Sequence, residues 1–388
     1  MSIPQDNSRD NPPGGGLSRG AGLYVHVPFC ATRCDFCAFY QVAPTVARTR
    51  LFLDAVEREA GLAARDAPRF ATAFWGGGTP GALSAANLAR LGALVKKNAG
   101  GGLSEWTVEL TPASASEARL EALREAGVTR VSIGVQSLRG ELLEKLGRRH
   151  TPRQSVEAFG RARKLGFAVN IDLMFALPGQ SRDEWLGDLG EALRLEPDHV
   201  STYCLTLEED TALWLRLGGG RTDPEREADL YLATWDFLEE RGWRQYEISN
   251  FARPGFECAH NLNTWAMGEW IGLGPSAASQ HGRVRGSNAA DLDAWAAAVD
   301  RGERLTGGRT ALDDATLAED ALIFGLRANA GVDLAGTQRR FPGGDWERLR
   351  AAADALCGNG LAEQAAGRLR LTRRGRLLAD AAGAEFLK

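Results

Sequence analysis

A chain of 388 residues has the length of roughly two to three domains, enough to bury a large core, which excludes a small stapled toxin or a lone binding module. With 46 Lys and Arg against 50 Asp and Glu, the formal charge is −4, so nothing draws the whole chain toward nucleic acid or an anionic membrane. Six cysteines are too few for a disulfide scaffold of this size. With no signal-peptide-like apolar core and no run of about 18 apolar residues, a cytoplasmic protein with no integral membrane segment is expected.

Residues 1–21 mix Pro, Gly, Ser and charge with almost nothing to bury and read as a flexible leader. Order is expected from Leu23. From there six short apolar or β-branched runs, LYVHVPF, TAFWGGG, EWTVELTP, RVSIGVQ, AVNIDLMF and HVSTYCL, alternate with amphipathic helical stretches such as SEARLEALREAG. Alternation of this kind predicts an α/β fold in which helices cover a parallel sheet, and in a barrel-like version the functional residues gather at the C-terminal strand ends. The rhythm changes after residue 222. Residues 223–305 read as an extension that closes over the barrel and carries an HNLNTW loop, and 306–388 as helices followed by a basic hairpin, a winged-helix-like module.

The strongest chemical signal is PFCATRCDFCAFY, which puts Cys30, Cys34 and Cys37 in C-x3-C-x2-C spacing directly after the first strand. Three thiolates suit a [4Fe–4S] cluster with one iron left open. The alternative, a zinc knot, requires four ligands, and no further Cys or His follows at ligand spacing. His26, on the incoming strand, would reach the site only by doubling back.

This loop, with Phe36 before its last Cys, resembles the radical S-adenosylmethionine (radical SAM) superfamily. LYVHVPFC, WGGGTP, GVQS, GRRH, NIDLMFALPGQS, YEISNF and HNLNTW, in that order, are similar to the oxygen-independent coproporphyrinogen III oxidase group. The resemblance implies a partial (β/α)6 barrel whose open iron chelates S-adenosylmethionine, for cleavage to a 5′-deoxyadenosyl radical. It also implies cofactor-binding positions at Tyr24, Phe36, Gly77, Gly78, Thr79, Glu109, Gln136, Arg148 and Asp172. Taken singly, these residues are also readable as a tight turn, surface ion pairs or caps, or a core aromatic. His260, with Asn261 and Trp265, suits either a heme iron ligand or a structural loop. His150 suits a solvated helix end, and Cys204, Cys258 and Cys357 suit simple burial. Arg368, Arg370, Arg373, Arg374 and Arg376 read as a packing module in preference to a nucleic-acid wing, so no nucleic-acid partner is expected.

The dehydrogenase branch of the group carries a further cysteine where this chain has Phe39. DFCAFY, GRRH and HN-x-x-x-W instead resemble the heme chaperone branch, which implies heme (or another porphyrin), a heme-acceptor protein and a low-potential electron donor such as a flavodoxin or ferredoxin. The chain departs from the group's pattern at Thr111, Ala176, Thr264 and Ala278, where Asn, Gly, Tyr and His are usual. Three functions stay open on the sequence: a heme carrier, a porphyrinogen oxidoreductase, or a zinc-containing regulatory protein.

Overall fold

The computed structural model describes residues 20–64, 69–100, 102–219 and 223–387. Residues 1–19 of the expected leader lie outside this description, as do residues 220–222 at the expected end of the barrel segment. Strand structure begins at the buried Ala21, two residues before the expected start.

Six strand–helix units follow in order: β1 (Ala21–Val27), α1 (Val46–Ala63), β2 (Phe70–Gly77), α2 (Ala85–Ala99), β3 (Glu105–Leu110), α3 (Glu117–Ala126), β4 (Arg130–Gln136), α4 (Gly140–Lys145), α5 (Pro152–Lys164), β5 (Ala168–Phe175), α6 (Arg182–Arg194) and β6 (His199–Cys204). These strands pair in parallel as β1-β2-β3-β4-β5-β6. Period-2 alternation gives the sheet two different faces. Leu23, Val25, Val27, Trp75, Val108, Ile133, Ile171 and Val200 pack under the helices in the main core. Tyr24, Phe74, Thr107, Glu109, Ser132, Asp172 and Ser201 occupy the other face, paired across the registers. The sheet curves so that this second face encloses a polar lumen, in which Glu109 feels the charge of Asp172. Helix starts are set by side-chain caps: Thr45, Ser84 and Thr151 accept backbone N–H bonds, and Thr151 with Gln154, like Ser181 with Glu184, forms a capping box.

Beyond β6, α7 (Ala212–Arg216) and α8 (Pro224–Glu239) lead to β7 (Arg244–Glu247), β8 (Asn250–Ala252) and α9 (Ala259–Trp265). Then come β9 (Trp270–Leu273), β10 (Ala278–His281), β11 (Val284–Ser287), α10 (Leu292–Asp300) and β12 (Gly308–Ala311). These strands extend both edges of the sheet instead of bridging them: β8 and β7 add beside β6, while β9 to β12 add beside β1, with β9 parallel to it. The remaining chain builds α11 (Asp314–Gly325), β13 (Val332–Asp333), α12 (Leu334–Arg340), α13 (Trp346–Gly358), β14 (Ala362–Ala365) and β15 (Arg368–Leu371), with a separate core around Leu322, Leu349 and Leu369. The basic hairpin is consumed internally. Arg370 pairs with Glu363 at 2.7 Å, Arg373 with Asp236, and Arg376 lies 4.7 Å over the Trp235 ring. No helix among the described residues is long and apolar enough to cross a membrane.

The helix of the HNLNTW segment, α9, plugs the N-terminal end of the barrel. Glu105, at the start of β3, accepts the N–H groups of Ala259 and His260 at 2.9 and 3.1 Å. His260 is buried, with its Nδ1 2.9 Å from the Thr72 hydroxyl and its ring 5.4 Å from that of Phe74. Its Cε1 is the atom a side chain on Gly22 would strike. Since β1 runs from Gly22 toward the cysteines through about 16 Å of strand, His260 sits at the end of the barrel away from them. The heme-ligand role open to it in sequence is therefore not supported, and burial holds its imidazole neutral, down to about 4. Thr264 donates to the His260 carbonyl at 3.2 Å within the same helix.

The departure at Ala176 has a backbone explanation, because its φ is 60°, the left-handed region that glycine occupies freely. In Ala176→Gly, relief of that strain is offset by loss of a buried methyl group, so stability should change by less than about 1 kcal/mol, read from urea unfolding midpoints. His260→Ala should lower it by about 2–3 kcal/mol, from the lost hydrogen bond and the cavity beside Phe74. It should leave heme uptake unchanged, which a Soret titration of the folded variant measures.

Candidate functional site

The cysteine loop follows β1 and is tied down at several points. Cys30 N–H donates to the Val42 carbonyl at 3.1 Å, Asp35 N–H to Leu146 at 3.2 Å, and the Asp35 carbonyl accepts from Leu213 at 2.7 Å. Arg216 pairs with the Asp35 carboxylate at 2.6 Å, so α7 clamps the loop from outside. His26 fastens it from below: Nε2 donates to the Tyr40 carbonyl, and Nδ1 receives the Tyr24 hydroxyl, both at 3.2 Å. With both nitrogens engaged, His26 is not a fourth ligand for the cysteines.

Cys30, Cys34 and Cys37 are all free thiols and half-buried. Cys30 Sγ is 3.4 Å from the Thr79 hydroxyl. Burial pushes the Cys30 and Cys34 thiols above their usual range, the neighbouring cysteines add to the rise, and Arg148 opposes it. Among the described residues no group of three or more His, Cys, Asp or Glu side chains is drawn tightly enough to hold a metal ion. A metal or cluster would bind these residues as thiolates, so its binding would displace their protons. The donor chemistry fits an iron–sulfur group: three free cysteines on one anchored loop, and beside them Arg148, 5.8 Å over the Phe36 ring, whose Nε is buried without a partner.

The glycine triplet solves a packing problem at the end of β2. A Cβ on Gly76 would lie 2.8 Å from Glu109 Oε2, and one on Gly78 would lie 2.8 Å from the Phe29 carbonyl oxygen. Gly77, at φ 97°, turns its N–H to the Glu109 carboxylate. Thr79 N–H donates to the Phe29 carbonyl at 2.7 Å, which holds its hydroxyl against Cys30. Across the lumen, Asp172 accepts from Ser132 at 2.9 Å and from Asn170 at 2.7 Å. Asn170 accepts in turn from His199 Nδ1 at 2.6 Å, and the Tyr246 hydroxyl bonds His199 Nε2 at 2.8 Å. Sequence reading missed this relay, although Asn170 and His199 share the period-2 inward positions of β5 and β6. Gln136 is buried at the end of β4 with φ 67°, after a register shift that follows Gly134. Such a bulge re-aims a side chain, and left-handed strain of this kind recurs at binding sites.

Thus Tyr24, Gly77, Glu109, Gln136 and Asp172 converge on the lumen. Gly78, Thr79, Phe36, Arg148 and the three cysteines form its rim. His150, which the sequence allowed to be solvated, is buried: its Nε2 donates to the Val135 carbonyl at 3.1 Å, and burial followed by the Arg148 charge lowers it to about 4. It pins the Gly147–His150 turn that presents Arg148. Cys258 is buried with its thiol 3.3 Å from Glu105, while Cys204 and Cys357 are half-buried. Phe39 is 68% exposed.

Glu109 is fully enclosed, and burial, followed by repulsion from Asp172, pushes its carboxyl up to about 8. A group whose folded pKa is raised binds its proton more tightly in the fold. Its contribution to stability is therefore full below the unfolded carboxylate range, near pH 4.3, and is lost as pH rises toward about 8. Cofactor-free Glu109→Gln protein should be a few kcal/mol more stable than the parent at pH 8 and similar to it at pH 4.5, checked by unfolding across that range.

The radical SAM superfamily profile matches residues 24–191, and that of the HemN C-terminal domain matches residues 312–378. The chain is 32% identical over 384 residues to the protein named heme chaperone HemW from Bacillus subtilis, covering 94% of this chain and 98% of that one. It is 36% identical to the HemW of Mycobacterium tuberculosis, with 93% of each covered. The fold matches the coproporphyrinogen III oxidase (HemN) structure from Escherichia coli with a TM-score of 0.79 at 24% identity, covering 96% of this chain and 91% of that one. On near full-length identity above 30%, with the barrel and cysteine loop in place, this chain belongs to the HemW family of the radical SAM superfamily.

Proposed function

We propose that this protein is a heme chaperone, which binds heme and passes it to an acceptor protein. Membership of the radical SAM superfamily implies a [4Fe–4S] cluster and S-adenosylmethionine. Cys30, Cys34 and Cys37 would hold the cluster, which when bound supplies redox chemistry and an open iron position. Thr79 fixes the Cys30 sulfur. Gly77 and Gly78, packed too closely on His26 and Phe29 for a side chain, would set the course of the backbone beside the ligand, Glu109 and Asp172 would offer acceptors to its ammonium and ribose hydroxyls, and Arg148 would hold its carboxylate. Tyr24, Phe36 and Gln136 complete the walls. A low-potential donor such as a flavodoxin or ferredoxin would reduce the cluster, in a cytoplasmic setting. The functional division would be the barrel over 22–222, the plugging and edge-extending segment over 223–305 and the winged-helix-like module over 306–388.

The observation that carries this reading is the loop itself: three free thiols beside a lumen with two buried carboxylates, and an exposed Phe39 where the dehydrogenase branch has a further cysteine. The full-length HemW relatives support the same reading.

Anaerobic reconstitution tests it. Near-equimolar heme retention, with no protoporphyrinogen from coproporphyrinogen III under reductant, is the expected result, and porphyrinogen turnover without heme retention would overturn it. Cys34→Ala should lose the cluster's iron and acid-labile sulfide. Full iron content in that variant would remove the cysteine loop as its holder.

A further inference from the structure

Outside the lumen, and sharing only its rim, lies a second space. An open cleft of about 280 Å³ is lined by Thr32 and Cys34 of the cysteine loop, Thr79, the Thr111–Ser114 turn, Arg119 and the Gly147–His150 turn. Tyr24, Glu109, Gln136 and Asp172 do not line it. Three arginines, Arg119, Arg148 and Arg149, are among the residues lining the cleft, and no carboxylate is among them.

These cations are not spent on acidic neighbours. Arg119 is held by neutral oxygens, with Nε on the Leu83 carbonyl at 2.9 Å and Nη1 on the Ser116 hydroxyl at 3.3 Å, which presets the fork while leaving its charge uncompensated. Arg148 Nε is buried with no partner, an arrangement that costs free energy unless a ligand completes it. Arg149 is exposed and makes no hydrogen bond or ion pair among the described residues. Its backbone is nonetheless fixed, because His150 beside it is anchored to Val135 and Gly147 packs against Asp35.

We propose that this cleft is a carboxylate site, in which Arg149 and Arg119 bind the propionates of heme. The inference rests on the heme reading above and adds where, and by which groups, the porphyrin is oriented. Opposite charge separates the two spaces: the lumen, with two buried carboxylates, suits a cationic cofactor and repels a dianionic porphyrin edge, while the cleft does the reverse. A carboxylate has two sources here, the propionates and the amino-acid end of S-adenosylmethionine, so the test must separate them.

Cluster-reconstituted protein is titrated with heme and with heme dimethyl ester in the Soret band, and with S-adenosylmethionine by calorimetry. Parent, Arg149→Ala and Arg119→Ala proteins are compared. The parent should bind the ester at least about tenfold more weakly than heme. Each substitution should weaken heme by about tenfold, and leave the ester and S-adenosylmethionine affinities unchanged. The cofactor titration also reports that the variants are folded. Equal affinity of the parent for heme and ester, or heme binding untouched by both substitutions, overturns the propionate site while the chaperone reading stands. Loss of S-adenosylmethionine affinity with heme retained assigns the cleft to the cofactor's carboxylate instead. A parent that takes up no heme at all defeats the chaperone reading, and this inference with it.

Discussion

Two buried carboxylates that face one space, Glu109 and Asp172, are the constraint around which the rest of this barrel is arranged. Neither makes an ion pair among the described residues, and burial raises both. A pair of like charges in an enclosed space is costly unless each is satisfied by donors or one carries a proton. Asp172 is satisfied by neutral donors: Ser132, Asn170 and, through Asn170, a neutral His199 whose Nδ1–H is fixed by the Tyr246 hydroxyl on its far nitrogen. Among the described residues Glu109 has the Gly77 N–H as its donor, and burial followed by repulsion from Asp172 raises its carboxyl to about 8. The lumen is thus prepared for a positive ligand, whose arrival would remove the cost that the empty fold carries.

The same polar lumen explains why the N-terminal end must be sealed. An open end would let water reach the carboxylates and screen them. Glu105 caps α9 at that end, His260 packs over Thr72 and Phe74, and Met267 continues into the C-terminal core, where Arg340 donates to the Ala266 carbonyl at 3.1 Å. The chemical look of HNLNTW in sequence and its structural work are therefore two consequences of one requirement. A helix that closes a polar barrel needs polar groups on its inner face.

The alternation of strands and helices made the six-unit barrel legible in the sequence, and the C-x3-C-x2-C spacing marked the loop at its rim. The parallel sheet follows from that alternation, while Tyr24, Glu109 and Asp172 are marked by the family resemblance, and their shared inward face appears in the strand registers. Three things were not legible. His260 stays open between a heme ligand and a structural loop because residue type says nothing about which end of a barrel a later helix will close. His150 reads as solvated because its partner, the Val135 carbonyl, comes from a strand end fifteen residues earlier. The edge strands β9 to β12 and β7 to β8 are short, and their pairing is decided by which sheet edge is free, a property of the assembled fold and not of their own composition.

Strain at two strand ends shows how the rim is tuned. Gln136 at φ 67° and Ala176 at φ 60° both leave their strands in the left-handed region, one after a bulge in β4 and the other directly after β5. At Gln136 the conformation turns a buried amide toward the space beside Gly134 and Arg148, so the cost of the backbone purchases the placement of a polar side chain. At Ala176 the side chain makes no polar contact, and what stands against the strain is the packing of a methyl group buried in the main core. The first strain is coupled to the ligand-facing wall and would relax only at the expense of that wall. The second is separable from it, and on that ground a glycine at 176 exchanges strain for lost packing without altering the chemistry above it.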